Sequence, residues 1–460
     1  MKFMWKFRTE RGALSPEDRA QRVQFVSLLA MILMELAFFL LEDRAGGIAY
    51  LYAERYLALP ALAFAGASFC RDLNRQEKRQ LYAGLAMVGL FFVIQTLHQV
   101  LESSAKETGT FVCAYALCFP FASATRDGKR QRGLKMMTGL FLAVGVLILV
   151  YAGMLLLNRV PEGLKSYVYW DGVRFSAMGH ANICATLLMI SIGLSAALAL
   201  SCRKSWVKIL LAILCAAEFA AMSLTNGRTT IIFTCLLLGG LTFCALRGPG
   251  WKRLAAALAA AVLVMGSLFV VSRVLYQWNQ NRLMEVFTMR QVSTEPIQLM
   301  QAESEPPVME VVNQQSSFGE DLKTLNGRTT IWQTALHGLR ENPRILLIGT
   351  EYVEMIMTRY SPAVLYHTHN SWLEALYRMG LPGLAAALAL TALAVWSTAD
   401  VLWRSRDLWK CGVALLTLCL LSCALLEPYL FVADVSYHYL DFLFLLCLGY
   451  LNLWRGGKAA

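Results

Sequence analysis

Residues 254–275 read LAAALAAAVLVMGSLFVVSRVL, and from Tyr276 to Tyr366 the chain then turns polar for about 90 residues. A run of that length and apolarity crosses about 30 Å of hydrocarbon as a helix, the form in which a chain satisfies its own backbone groups within one segment. Comparable runs lie near 23–41, 47–69, 81–101, 110–125, 134–157, 178–200, 207–225, 229–246, 370–399, 411–426 and 435–454. The whole chain agrees: of 460 residues 57% are hydrophobic and 16% charged, and its mean hydropathy is +0.49. So few polar side chains cannot coat a soluble globule of this size. The expected fold is all-α, a polytopic membrane protein of about 12 transmembrane helices with one large extracytoplasmic loop containing short amphipathic helices. A cytosolic enzyme is excluded.

The net charge of +11 would point to nucleic acid if the basic residues formed one surface. They sit instead in short clusters between apolar runs, so nucleic acid is not an expected partner. With a cytoplasmic N-terminus, the inside segments hold 26 Lys and Arg and the outside segments 13, seven of them in the long loop. Length weakens the rule there, which leaves six in the short outside loops. The expected plan is a cytoplasmic segment 1–22, helices 1–9 over 23–275, an outside loop 276–369, helices 10–12 over 370–454 and a cytoplasmic tail 455–460, in the cytoplasmic (inner) membrane. The basic N-terminus lacks a short apolar core with a small-residue cleavage site, so the first span is expected to be retained. All twelve cysteines lie in or beside apolar runs, and no disulfide framework is implied.

Ionisable residues within the spans are sparse. Glu218, near the middle of its run, is read as a helix-packing or site-supporting carboxylate, since a proton- or ion-coupled carrier places several carboxylates near the midplane. In the long loop, Arg290 to Lys323 is rich in Glu, Gln, Ser and Pro, a composition that favours mobility. Beyond it Ile331, Ala335, Leu336 and Leu339 recur at helical spacing until Pro343, which predicts an amphipathic helix on the membrane surface or across a cavity mouth.

Chemistry concentrates at three outside edges. The hexapeptide NGRTTI occurs at 226–231 and again at 326–331. Each copy sets a guanidinium, Arg228 or Arg328, at a turn leading into a helix N-terminus, which suits phosphate. The plainer reading is that Asn and Thr cap and Arg anchors at the interface; both copies falling outside favours a shared anionic ligand. Second, YHTHNSWLE at 366–374 brings His367, His369, Asn370 and Glu374 to the edge of a span. Imidazole changes charge near neutral pH and can deprotonate a hydroxyl. The two histidines with Glu374 can also be read as metal ligands, but positions i and i+2 do not share a helix face, and an interface cap is a third reading. Third, RFSAMGHAN at 174–182 offers Arg174, His180 and Asn182 at another entry to the membrane.

In order and topology these residues resemble the O-antigen ligase and polysaccharide polymerase superfamily of membrane glycosyltransferases. The resemblance runs from Arg174 with Asn182, through Arg228, Gly327-Arg328 with Trp332, and Pro343 with Gly349, to His369-Asn370 with Leu373 and Glu374. It covers about residues 170 to 385. The chain departs from the family at Gly349-Thr350, where a second glycine is common, and in the additional His367.

The resemblance implies a donor glycan on polyprenyl diphosphate, an acceptor that is a glycan, lipid or protein, and a site at the outer face of the bilayer. Arg228 and Arg328 would neutralise the leaving diphosphate and His369, or else His367, would take the acceptor proton. Arg174, His180, Asn182, Asn370, Trp332 and Glu374 would bind substrate, with no metal and no soluble cofactor. A lipid-linked glycan flippase or other multi-span transporter is the alternative, since such a span count also describes carriers.

Overall fold

The computed structural model describes residues 131–165, 168–170, 174–177, 180–293, 328–350, 353–360, 367–431 and 438–455. The four runs expected before residue 126, and the loop from 294 to 327, lie outside the described residues. The helices are α1 (Arg132–Leu156), α2 (Ala181–Ser201), α3 (Ser205–Leu224), α4 (Arg228–Leu246), α5 (Trp251–Ser293), α6 (Arg328–Glu341), α7 (Arg344–Ile348), α8 (Val353–Arg359), α9 (Ser371–Arg404), α10 (Leu408–Ala424) and α11 (His438–Arg455). A two-stranded antiparallel ribbon, β1 (Tyr169–Trp170) with β2 (Phe175–Ser176), joins α1 to α2.

Among the described residues six helices are long and apolar enough to cross a membrane: α1 to α5 and α9. The chain is therefore a multi-pass membrane protein. The 17 residues of α10 rise about 25 Å, just short of the hydrocarbon thickness.

The helix α2 lies at the centre. It is apolar on all sides because it packs against α1, α3, α4 and α10, and 78% of its span is buried. At the other extreme α5 buries only 11% of its span, and the leucines and valines on its remaining surface, such as Leu263 and Val270, suit lipid rather than water. The run expected to end at Leu275 continues as helix to Ser293, because nothing in YQWNQNRLMEV breaks a helix when the side chains merely become polar.

Glu218 is completely buried. It accepts a hydrogen bond from Ser191 Oγ at 2.5 Å, and a Cβ at Gly145 would fall 2.0 Å from its Oε1. The carboxyl therefore sits in the seam between α1, α2 and α3. The nine cysteines among the described residues are free thiols.

The ends of the bundle differ in chemistry. At one end Arg247 donates to the carbonyls of Leu402 and Ser405, Arg406 donates to Arg247 O at 3.2 Å, and Lys410 stands over the Trp454 ring. Trp206, Trp251 and Trp403 are exposed there, as expected of an aromatic belt at a membrane interface. At the other end α6, α7 and α8 form a small second core, in which Ala335, Leu339, Ile345, Val353 and Met357 pack on Tyr377 of α9. Ala335 and Leu339 lie on one helix face, four residues apart, and are buried; Leu336, a hundred degrees away, is exposed.

The helix α9 breaks at Gly380 (φ 67°, ψ −165°), two residues before Pro382. Proline has no N–H to donate, so the break leaves carbonyls of the preceding turn without helical donors. Thr350 N supplies one by donating to Tyr377 O at 2.7 Å. That bond brings Gly349 (φ 77°, ψ −169°) so close that a Cβ there would lie 2.3 Å from the carbonyl of Arg378. Residue 350 donates its backbone N–H without taking positive φ, so the conformation there does not require a second glycine.

Both the clash and this almost glycine-only backbone region act against Gly349→Ala, which is expected to cost at least about 3 kcal/mol. A thermal unfolding midpoint several degrees below wild type in detergent checks it; an unchanged midpoint refutes it.

Candidate active site

The site grows from two turns. In the first, Asn370 caps α9: its Oδ1 accepts from Trp372 N and Leu373 N, and its Nδ2 donates to Leu425 O at 3.0 Å. Glu374, fully buried, accepts from Thr368 N (2.8 Å) and Thr368 Oγ1 (2.9 Å) at one oxygen and from Arg378 Nε (2.8 Å) at the other. These bonds fold the segment back on the helix and set His369 at φ 50°. That backbone region is uncommon outside glycine, though asparagine and histidine tolerate it better than most. His367 meets it edge-on, with ring centroids 4.1 Å apart.

The second turn ends α10. Leu426 N and Glu427 N both donate to Cys423 O, and Pro428 follows. Ser371 Oγ clasps this turn to α9 by donating to Glu427 O at 2.9 Å and accepting from Leu430 N at 3.0 Å. Phe431 is also held at positive φ; its N–H donates to Asp441 Oδ1 at 3.0 Å, and its ring packs on Trp372 and Phe444.

The carboxylate of Glu427 joins the two turns. Its Oε2 is 3.0 Å from His369 Nδ1. Its Oε1 accepts from Asn182 Nδ2 at 2.9 Å and from Arg328 Nη2. Arg328 spends its Nε on Leu426 O at 2.6 Å. Burial alone would raise the Glu427 carboxyl, but the His369 hydrogen bond and the Arg328 and histidine charges outweigh it and hold the group below its ordinary value. An ionised carboxylate only accepts, so Nδ1 of His369 carries hydrogen and Nε2 is the basic nitrogen. The His369 side chain is 29% exposed and that of Glu427 12%, so the imidazole is the partner that a substrate can reach.

The two copies of the repeated hexapeptide do different work. Arg328, 9% exposed, has its fork engaged on the Glu427 turn. Arg228 instead interacts electrostatically with Arg174, Arg273 and Tyr276. Asn226 takes the left-handed conformation at that turn, and its Nδ2 donates to Tyr276 Oη at 3.3 Å. A Cβ at Gly227 would lie 2.9 Å from that of Ala185, one turn along α2 from Asn182. The arginine cluster and the histidine–glutamate pair thus flank the start of the same central helix.

Of the other expected ligands, His180 is exposed and caps α2, its Nδ1 accepting from Asn182 N at 3.2 Å. Trp332, one turn into α6, is half-buried, and its indole N–H has no acceptor among the described residues. The structure brings His369, Arg328 and Asn182 together on Glu427, while the charge of Arg174 acts on Arg228. Asn370 and Glu374 it engages in holding the turn.

Sequence reasoning missed Glu427 and Arg273. The signal for Glu427 was a lone acid followed by proline in the short link between two apolar runs. For Arg273 it was a cation inside a run otherwise free of charge.

Fold and site define a multi-pass membrane protein carrying an imidazole–carboxylate pair and an arginine cluster at one end of its bundle. A family model described as O-antigen ligase matches residues 210–388, from within α3 to within α9, so this segment is similar to the O-antigen ligase family. The matched stretch contains Arg228, Arg328 and His369. No curated protein matches the chain. The family indicates O-antigen ligase-like transfer of lipid-linked glycan in a membrane, a step of polysaccharide biosynthesis.

Proposed function

We propose that the protein is a metal-independent inverting glycosyltransferase that takes its glycan from a polyprenyl-diphosphate donor at the extracytoplasmic membrane face. The observation that carries this reading is the contact of His369 Nδ1 with Glu427 Oε2, which leaves Nε2 as a base at the end of the bundle where the arginines flank the start of α2. The positive-inside rule supports the choice of face: Arg203, Lys204, Lys252, Arg253, Arg404 and Arg406 all flank the opposite end of the bundle.

In the proposed step Nε2 of His369 removes the proton of the acceptor hydroxyl as its oxygen attacks the anomeric carbon. A new glycosidic C–O bond forms and the bond from the anomeric carbon to the diphosphate oxygen breaks, its electron pair leaving with the diphosphate. Arg228 and Arg174 stabilise that charge as it develops. Glu427 stabilises the imidazolium, which later returns its proton to water. Arg328 and Asn182 are positioning residues for Glu427, and Asn370 and Glu374 for His369. His180 and Trp332 contact donor or acceptor.

Purified protein incubated with a polyprenyl-diphosphate oligosaccharide and an acceptor glycan, with and without a chelator, tests the proposal. The expected result is an enlarged glycan with release of polyprenyl diphosphate, unchanged by the chelator. A ladder identifies a polymerase and one discrete shift a ligase. Movement of the donor across a vesicle membrane without a new glycosidic bond would identify a transporter and overturn the reading.

A further inference from the structure

We propose that Arg273 of α5, held by Tyr276, is a third cation of the donor diphosphate subsite and recognises the charge gained by the leaving group. This rests on the donor chemistry proposed above. Arg273 precedes Tyr276 by three residues and so shares its helix face. The guanidinium carbon stands 5.7 Å from the centre of that ring, within the range of a cation–π contact. The Tyr276 hydroxyl in turn accepts from Asn226, two residues before Arg228. The α5 helix is thereby fastened, through one tyrosine, to the turn that presents Arg228.

The Tyr276–Asn226 bond thus brings Arg273 toward the turn where α4 begins, and the charges of Arg273 and Arg174 both act on Arg228. Like charges in a partly desolvated site repel one another, and an entering polyanion relieves that repulsion. An arginine within a run this apolar is costly and is commonly found at a functional position.

The count of charges has a chemical meaning. A glycan joined to a lipid through diphosphate carries two ionised phosphate oxygens. When the bond to the anomeric carbon breaks, the departing oxygen adds a third charge. Three cations therefore complement the product and the transition state leading to it better than the ground-state donor, which is the condition for accelerating the step. The bland reading of Arg273 is a side chain reaching along apolar surface to the membrane interface. That reading gives the residue no part in telling one phosphate from two.

The test uses the full-length protein in detergent with two probes, a short-chain polyprenyl diphosphate and the corresponding monophosphate, each measured by direct binding. Wild type is expected to prefer the diphosphate by about tenfold or more, the scale of one charge-assisted contact. Arg273→Gln is expected to reduce that preference to less than about threefold. Arg273→Lys, which keeps the charge, and Lys252→Gln, at the far end of the same helix, are expected to retain it. If the glutamine variant is lost from the membrane, Tyr276→Leu carries the same expectation by removing the ring beneath the guanidinium. Undiminished discrimination in Arg273→Gln, or in Tyr276→Leu as its substitute, overturns the assignment of Arg273 alone. Failure of wild type to bind either probe overturns the underlying donor chemistry.

Discussion

Glycan transfer is expected to fall by about 10²- to 10⁴-fold in His369→Ala, the range contributed by a positioned general base, while the protein remains in the membrane. The turn that carries His369 complicates this variant, because a side chain at φ 50° is tolerated better by asparagine than by alanine. His369→Asn is therefore the cleaner substitution: it keeps the left-handed turn and removes the imidazole. Both variants should lose transfer, and His369→Asn should elute and melt like wild type. His367→Ala should retain most activity, although its ring touches that of His369, since the carboxylate contact is made by His369. Rates measured with a polyprenyl-diphosphate oligosaccharide decide the matter. Full activity in His369→Asn removes the proposed base, and a greater loss in His367→Ala moves the role to that residue.

Apolar runs located α1 to α5 and α9 to α11 to within a few residues, except where the chain left the membrane without leaving the helix. The end of α5 was illegible because hydropathy reports the bilayer, whereas helicity past Leu275 requires only residues that tolerate it. The break in α9 was half-legible. Pro382 announces it, but the opening at Gly380 depends on the Thr350 N–H reaching Tyr377 O, a contact between segments that no local pattern encodes. The order of Arg174, Arg228, Arg328 and His369 along the chain pointed to the candidate site. Its division of labour was hidden: two identical hexapeptides give one arginine engaged with a carboxylate turn and one among other arginines, because their surroundings differ while their local sequence does not. Glu427 lies 58 residues from His369 in a link with no periodicity, so only the closing of α10 onto α9 makes it a partner.

Glu427 should be almost as sensitive as His369, and for two separable reasons. Loss of the carboxylate in Glu427→Ala removes the acceptor that fixes the His369 tautomer, for which about 10⁴-fold is the scale known from catalytic triads. It also leaves Arg328, 9% exposed, without its counter-charge, for which about 3 kcal/mol or more of destabilisation is expected. Glu427→Gln separates the effects. The amide keeps the size and one acceptor, so the fold should be less disturbed. Its NH₂ group can donate to His369 Nδ1, however, which places the imidazole hydrogen on Nε2 and removes the base. Low transfer with a near-native melting midpoint is therefore expected for Glu427→Gln, and low transfer with a depressed midpoint for Glu427→Ala.

Acid provides an independent check. The carboxyl is held below its ordinary value of 4.5, so the unfolded chain takes up its proton first as pH falls. The stability contributed by Glu427 is complete above that value and disappears as pH drops through the folded one. Wild-type melting midpoints measured from about pH 6 to about pH 3 should therefore fall more steeply than those of Glu427→Gln. Parallel curves, or wild-type transfer rates in the glutamine variant, would show that the carboxylate neither braces the turn nor orients the imidazole.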